Sequence, residues 1–115
     1  MTKLKQGDLC LFNFDPSAGH EFQGKRPAVV IQSDQQILKS NLVTVIPLTS
    51  NLNNCHNDDF IIKKNNNNKL YSDSVAKVYN IISFDYQRFI NKIGRVDYNI
   101  LLNLKQYLKK HFDIV

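Results

Sequence analysis

Arg26 and Thr49 are the side chains of this sequence best suited to act on a phosphodiester, and the loop that leads to Arg26 carries groups that could work with them. A guanidinium keeps its charge at any physiological pH and presents a rigid fork of donors to phosphoryl oxygens. Cleaving RNA without a metal, by attack of a 2′-hydroxyl on the adjacent phosphorus, calls for a base, an acid for the departing 5′-oxygen, and a cation or donors on the phosphoryl oxygens. Arg26 fits the last role. Thr49, or with less reason Ser50, could give the same phosphate a hydrogen bond, and Glu21, the one glutamate of the chain, or His20 could exchange protons. One preorganised donor contributes on the order of 10² to 10³ in rate and one positioned acid or base about 10² to 10⁴. Arg26 and Thr49 therefore need a base within reach, and residue type leaves open which one it is. Each residue also has an ordinary reading: a solvated loop arginine, surface histidine and glutamate, a turn-forming hydroxyl.

Positioning these groups falls to the elements around them. The stretch Gly19-His20-Glu21-Phe22-Gln23-Gly24-Lys25-Arg26-Pro27 is a polar loop between two apolar runs. It is longer than a hairpin requires, as functional loops often are. Upstream, Asp8 to Phe14 has the residue types of a strand and is apolar almost throughout, which predicts that both faces are covered. Gly7 suits a turn into it at positive φ. Downstream, Pro27 is expected to begin a buried strand over Ala28 to Gln32, with a short connection, one helical turn, over Gln35 to Ser40. Asn41 to Ile46 reads as a third strand stopped by Pro47, which leaves Thr49 and Ser50 just past a strand end. Asn51 to Asp59 is a polar loop, Phe60 to Ile62 a short strand, and Lys63 to Lys69, with its four consecutive asparagines, a tolerant surface turn. Asp73 to Phe84 is the longest strand candidate. Asp85 is expected to cap one helical turn ending near Phe89, and Lys92 to Val96 is a last short strand.

After that the periodicity changes. Ile100, Leu101, Leu104, Leu108 and Phe112 recur at helical spacing, Asp97 precedes them as a candidate N-cap, and Lys109, Lys110 and His111 fall in the last turn. A C-terminal amphipathic helix of about 14 residues follows, its apolar stripe packed on the sheet. Strands so close in sequence favour antiparallel pairing, since parallel crossovers need a dozen or more intervening residues. The expected fold is mainly β, a small curved sheet or barrel capped by one helix, in a single domain over residues 1–115.

Composition narrows the function. With 43% hydrophobic and 22% charged residues the chain is globular in type, and no run approaches the roughly 20 apolar residues of a membrane span. Met1-Thr2-Lys3-Leu4-Lys5 lacks the hydrophobic core of a signal peptide, so the protein is expected in the cytoplasm. Cys10 and Cys55 have no zinc or redox spacing and read as reduced thiols. No metal or other cofactor is expected. A formal charge of +5 favours a polyanionic partner.

Several blocks occur here in the order seen in the MazF/PemK family of toxin endoribonucleases, which the chain resembles over nearly its whole length. They are Gly7-Asp8, Asp15-Pro16-Ser17-Ala18-Gly19-His20-Glu21, Gly24-Lys25-Arg26-Pro27-Ala28-Val29-Val30, Pro47-Leu48-Thr49-Ser50-Asn51, Asp73-Ser74-Val75-Ala76 and Ile93-Gly94-Arg95-Val96. The resemblance implies a homodimer of SH3-like barrels of the CcdB/PemK type, each with a C-terminal helix, serving as the toxin of a type II toxin–antitoxin pair. It implies metal-independent cleavage of single-stranded RNA at short sequences, leaving 2′,3′-cyclic phosphate and 5′-hydroxyl ends, and a cognate antitoxin protein as partner. The family's catalytic arginine, hydroxyl and loop glutamate correspond to Arg26, Thr49 and Glu21. His20, Lys25, Ser50, Asn51 and Lys77 are the expected RNA contacts. Where many members carry an acidic-Gln-Ile-Arg-Thr run before a final Ile-Asp, this chain has Tyr79-Asn80-Ile81-Ile82-Ser83 before Phe84-Asp85, a departure that bears on sequence preference first and catalytic vigour second. The alternative is a non-catalytic toxin of the same fold that acts by protein binding, as CcdB does on DNA gyrase.

Overall fold

The computed structural model describes residues 4–19, 22–56 and 59–115. Seven strands and two helices follow one another as β1 (Asp8–Asn13), β2 (Lys25–Val30), α1 (Asp34–Lys39), β3 (Leu42–Thr49), β4 (Phe60–Ile62), β5 (Ser74–Ala76), β6 (Ile82–Asp85), β7 (Phe89–Arg95) and α2 (Tyr98–His111). Every pairing is antiparallel. The strand order is β4-β5-β3-β2-β1-β7, with β6 also on β3, and the sheet is barrel-like without closing among the described residues.

As the apolar run of β1 predicts, both its faces are covered. Leu9 enters one core cluster with Val29, Ile46 and Leu48, while Cys10 and Phe12 enter a second with Ala28, Val30, Val43 and Val45. Alternate residues point to opposite sides of a strand, so these are the two faces of one sheet. Helix α2 covers the first face: Leu101 and Leu104 are buried there, Ile100, Tyr107 and Leu108 pack beside them, and Tyr107 stacks on Phe60 with ring centroids 5.1 Å apart. Phe112, predicted as the last residue of the stripe, lies past the helix end and is 54% exposed. Phenylalanines dominate the second face, where Phe12, Phe14 and Phe84 meet at centroid distances of 5.2 to 5.5 Å.

The structure corrects the sequence at Pro27 and Pro47. β2 begins at Lys25, two residues before Pro27, which pairs with Leu11 of β1. β3 has stopped pairing with β2 by this point, so the missing N–H falls at a ladder's end. Likewise Pro47 does not stop β3, which runs on to Thr49. On the other side of β3, pairing with β6 ends at Val45 and pairing with β5 begins at Leu48, so Pro47 stands in the gap, where its carbonyl accepts the Lys77 N–H at 3.0 Å.

The single long strand expected over Asp73 to Phe84 is two strands, because the two residues of β3 between Val45 and Leu48 face five of the partner segment between Ala76 and Ile82. A 3-10 turn over Val78–Asn80 takes up the surplus. Shorter expectations hold. Gly7 has φ +92°, Ser33 caps a helix of six residues at α1, and the Asp85 carboxylate accepts the Gln87 N–H over the 3-10 turn Tyr86–Arg88.

Asp97 precedes α2, but its carboxylate accepts from the side-chain amides of Asn65 and Asn67 instead of the helix N–H groups. The asparagine run is not a loose turn. Asn68 is buried, its Oδ1 accepts from the N–H groups of Asn65 and Leu70, and its amide donates to the Lys63 carbonyl. The Asn67 carbonyl takes the Arg95 N–H at 3.0 Å, covering the exposed edge of β7.

Candidate nucleic-acid site

Arg26 lies in β2 and Thr49 ends β3, and the register between these strands relates them. Ala28 pairs with Pro47. The β2–β3 ladder ends at that pair; by strand alternation Arg26 belongs to the face of Ala28, and Thr49 to the face of Pro47 and Val45. The face is the one away from α2, since Ala28 and Val45 belong to the phenylalanine-rich cluster. Arg26 is half-buried. Its Nε donates to the Gln23 carbonyl at 2.9 Å, and its guanidinium carbon sits 5.0 Å from the Phe22 ring centroid. Phe22 stands edge-on to Phe14 at 6.4 Å. Ring and carbonyl together restrict where the fork can point. Thr49 is 7% exposed, and its Oγ1 accepts the Asn51 N–H at 3.2 Å. A hydroxyl that accepts one bond still has a proton to donate.

A cavity of about 470 Å³ opens next to Phe22 and Pro47. The β1–β2 loop contributes Phe14, Pro16, Ser17 and Phe22, β3 contributes Pro47, and the segment Tyr79, Asn80, Ile81, Ile82, Ser83 and Phe84 forms the far wall with Arg88. Pro47 and Phe22 tie the cavity to Thr49 and Arg26, one by sequence and register, the other by ring contact. The segment that departs from the family's acidic-Gln-Ile-Arg-Thr run is this wall, and its Tyr, Ile and Ile side chains offer apolar surface. The 3-10 turn that interrupts β5 and β6 swings it into place.

The other expected contacts separate into groups. Lys25 is exposed, across β1 from Asn13. Ser50 and Asn51 are exposed after Thr49, and the Asn51 side-chain oxygen Oδ1 accepts the Asn53 N–H to cap a 3-10 turn. His20 and Glu21 lie outside the described residues. Lys77 is a correction: it is 6% exposed, and its Nζ is 2.6 Å from Asp59 Oδ2 and 2.8 Å from the Asn54 carbonyl. Such an ammonium is committed to the fold and has no face to give a nucleic acid.

Arg88 was missed in the sequence, where it is one arginine in a turn. It borders the cavity with its guanidinium 5.4 Å from the Phe84 centroid, and Nη1 donates to the carbonyls of Asp15 at 2.6 Å and Asn13 at 3.3 Å. The one available signal was its spacing of three from the capping Asp85. Among the described residues no three His, Cys, Asp or Glu side chains group as metal ligands, and no helix is long and apolar enough to cross a membrane. Burial, with the Asp8 carboxylate adding and the Lys92 ammonium partly offsetting, pushes the Cys10 thiol up to about 12, so it packs as a neutral group.

Comparison with known proteins agrees along the chain. Residues 5–112 match a family described as PemK-like, MazF-like toxin of type II toxin-antitoxin system. Endoribonuclease MazF9 of Mycobacterium tuberculosis is 29% identical, with 96% of this chain and 98% of that protein aligned. Among solved structures, MazF of Deinococcus radiodurans superposes with a TM-score of 0.86 at 22% identity, covering 99% of this chain and 100% of that one. MazF in a MazE–MazF structure from the same organism gives 0.77 at 21%, with both chains covered in full.

Proposed function

The chain belongs to the PemK-like, MazF-like toxins of type II toxin–antitoxin systems, and on that footing we propose that it is a metal-independent endoribonuclease of single-stranded RNA. The observation that supports the activity most directly is that strand alternation in β2 and β3 assigns Arg26 and Thr49 to one sheet face, the face on which Phe22, in contact with Arg26, and Pro47, near Thr49, line a cavity of aromatic and aliphatic side chains. In this reading the 2′-oxygen of a bound ribose forms a bond to the adjacent phosphorus as the bond to the 5′-oxygen breaks. Arg26 and the Thr49 hydroxyl donate to the non-bridging oxygens, where negative charge grows. One of Glu21 and His20 takes the 2′-proton, and the other, in its protonated form, gives a proton to the departing 5′-oxygen. The products are a 2′,3′-cyclic phosphate and a 5′-hydroxyl. Bases of the strand lie against the cavity's apolar walls, since stacking on rings is favourable for every base. The working unit is a cytoplasmic homodimer held inactive by a cognate antitoxin, the kind of partner named in the MazE–MazF structure.

Incubating the purified protein with a long mixed-sequence RNA in EDTA, then identifying the new ends, tests the reading. Cyclic phosphates are expected. They should vanish with Arg26→Ala and with Arg26→Lys, because a point charge does not reproduce the fork, and fall by roughly 10² to 10³ with Thr49→Ala. Intact RNA from a protein that arrests growth on expression would instead favour a toxin acting by protein binding.

A further inference from the structure

We propose that Arg88 is a second phosphate-binding residue of the groove, holding a backbone phosphate of the bound strand other than the scissile one; the inference rests on the RNA-cleaving reading above. Arg88 lines the cavity and Arg26 adjoins it through Phe22, and each guanidinium lies on a phenylalanine of the lining: Arg26 over Phe22 at 5.0 Å and Arg88 over Phe84 at 5.4 Å. They come from different parts of the chain, β2 and the turn before β7. Arg88 is held in one orientation by the ring and by the Asp15 and Asn13 carbonyls on Nη1, while Nε and Nη2 meet no acceptor among the described residues.

Its charge also lacks a carboxylate partner among the described residues. Lys77 is paired with Asp59, and Lys92 and Arg95 both reach Asp8, whereas Arg88 makes no ion pair with a carboxylate among the described residues. A half-buried cation anchored only by carbonyls and a ring keeps its attraction for an anion from outside. The anchoring lowers the conformational cost of binding one, since the fork is already placed. A single small anion at Arg26 would leave this site empty. A strand with successive phosphates fills both, with its intervening nucleotide in the cavity between them.

Arginine-selective modification of the wild-type protein by phenylglyoxal, read by mass spectrometry, tests the assignment. The chain has three arginines, Arg26, Arg88 and Arg95. The ligand is a single-stranded 2′-O-methyl RNA of mixed sequence, which lacks the nucleophile and stays whole. At ligand tenfold above its Kd the free fraction falls to roughly one tenth, and modification of Arg88 and of Arg26 should slow about as much. Arg95, engaged on Asp8 and not among the residues that line the cavity, should react at an unchanged rate. Protection of Arg26 with Arg88 still reacting freely overturns the inference and leaves the nuclease reading standing. Protection of neither overturns both, and equal protection of Arg95 means general coating by RNA and also counts against Arg88.

Discussion

Lys77, expected from the sequence as an RNA contact, is an internal strut. Its ammonium meets the buried Asp59 carboxylate, whose second oxygen accepts the Val78 N–H at 3.3 Å, so the pair fastens β4's lead-in to the 3-10 turn that starts the cavity wall. Removing one member of a buried pair strands the other and costs about 3 to 5 kcal/mol. Lys77→Met should therefore lower the urea midpoint strongly, and adding Asp59→Asn should recover much of the loss, since neighbours in one ion pair are not additive. RNA affinity of whatever fraction stays folded should keep its salt dependence. Sequence could name Lys77 as basic, but exposure decides what a charge is for, and exposure depends on a carboxylate 18 positions away.

Among the elements, β7 and the asparagine run carry the least expected constraint. A Cβ on Gly94 would come within 2.5 Å of the Asn67 carbonyl oxygen and 2.6 Å of that of Asn68. Both are backbone atoms, so the strand or the run must move. Gly94→Ala should cost about 1 to 3 kcal/mol, the usual range for overpacking, and appear as a lower denaturant midpoint at unchanged m. The cleavage chemistry of the folded protein should persist, because β7 is separated from Arg26 by β1. Local pattern predicted the helix α2 well, since an amphipathic stripe is a property of neighbouring residues. It predicted the ends of β2, β3 and the β5–β6 segment poorly, since a proline's tolerance in a strand depends on whether a partner stands beside it.

For the molecule as a whole, the charge of +5 becomes a statement about conditions. Cations at the groove displace counterions from bound RNA, so log affinity should fall against log salt with a slope of about 0.7 per phosphate neutralised. Raising potassium chloride should therefore lower kcat/KM of cleavage while kcat at saturating RNA changes little; a loss confined to kcat would mean that salt acts on the chemistry or the fold.

The amino-acid order by itself settled the secondary-structure class, the closing helix and the residue types able to work on a phosphodiester, because these rest on short-range periodicity and on functional groups. Folding alone decided that Arg26 and Thr49 fall on one sheet face, that Lys77 turns inward to Asp59, and that Arg88, 62 positions beyond Arg26, lines the cavity beside Phe22, the ring under Arg26. Each of those outcomes depends on strand register, which is fixed by the packing of both sheet faces together and leaves no local signature.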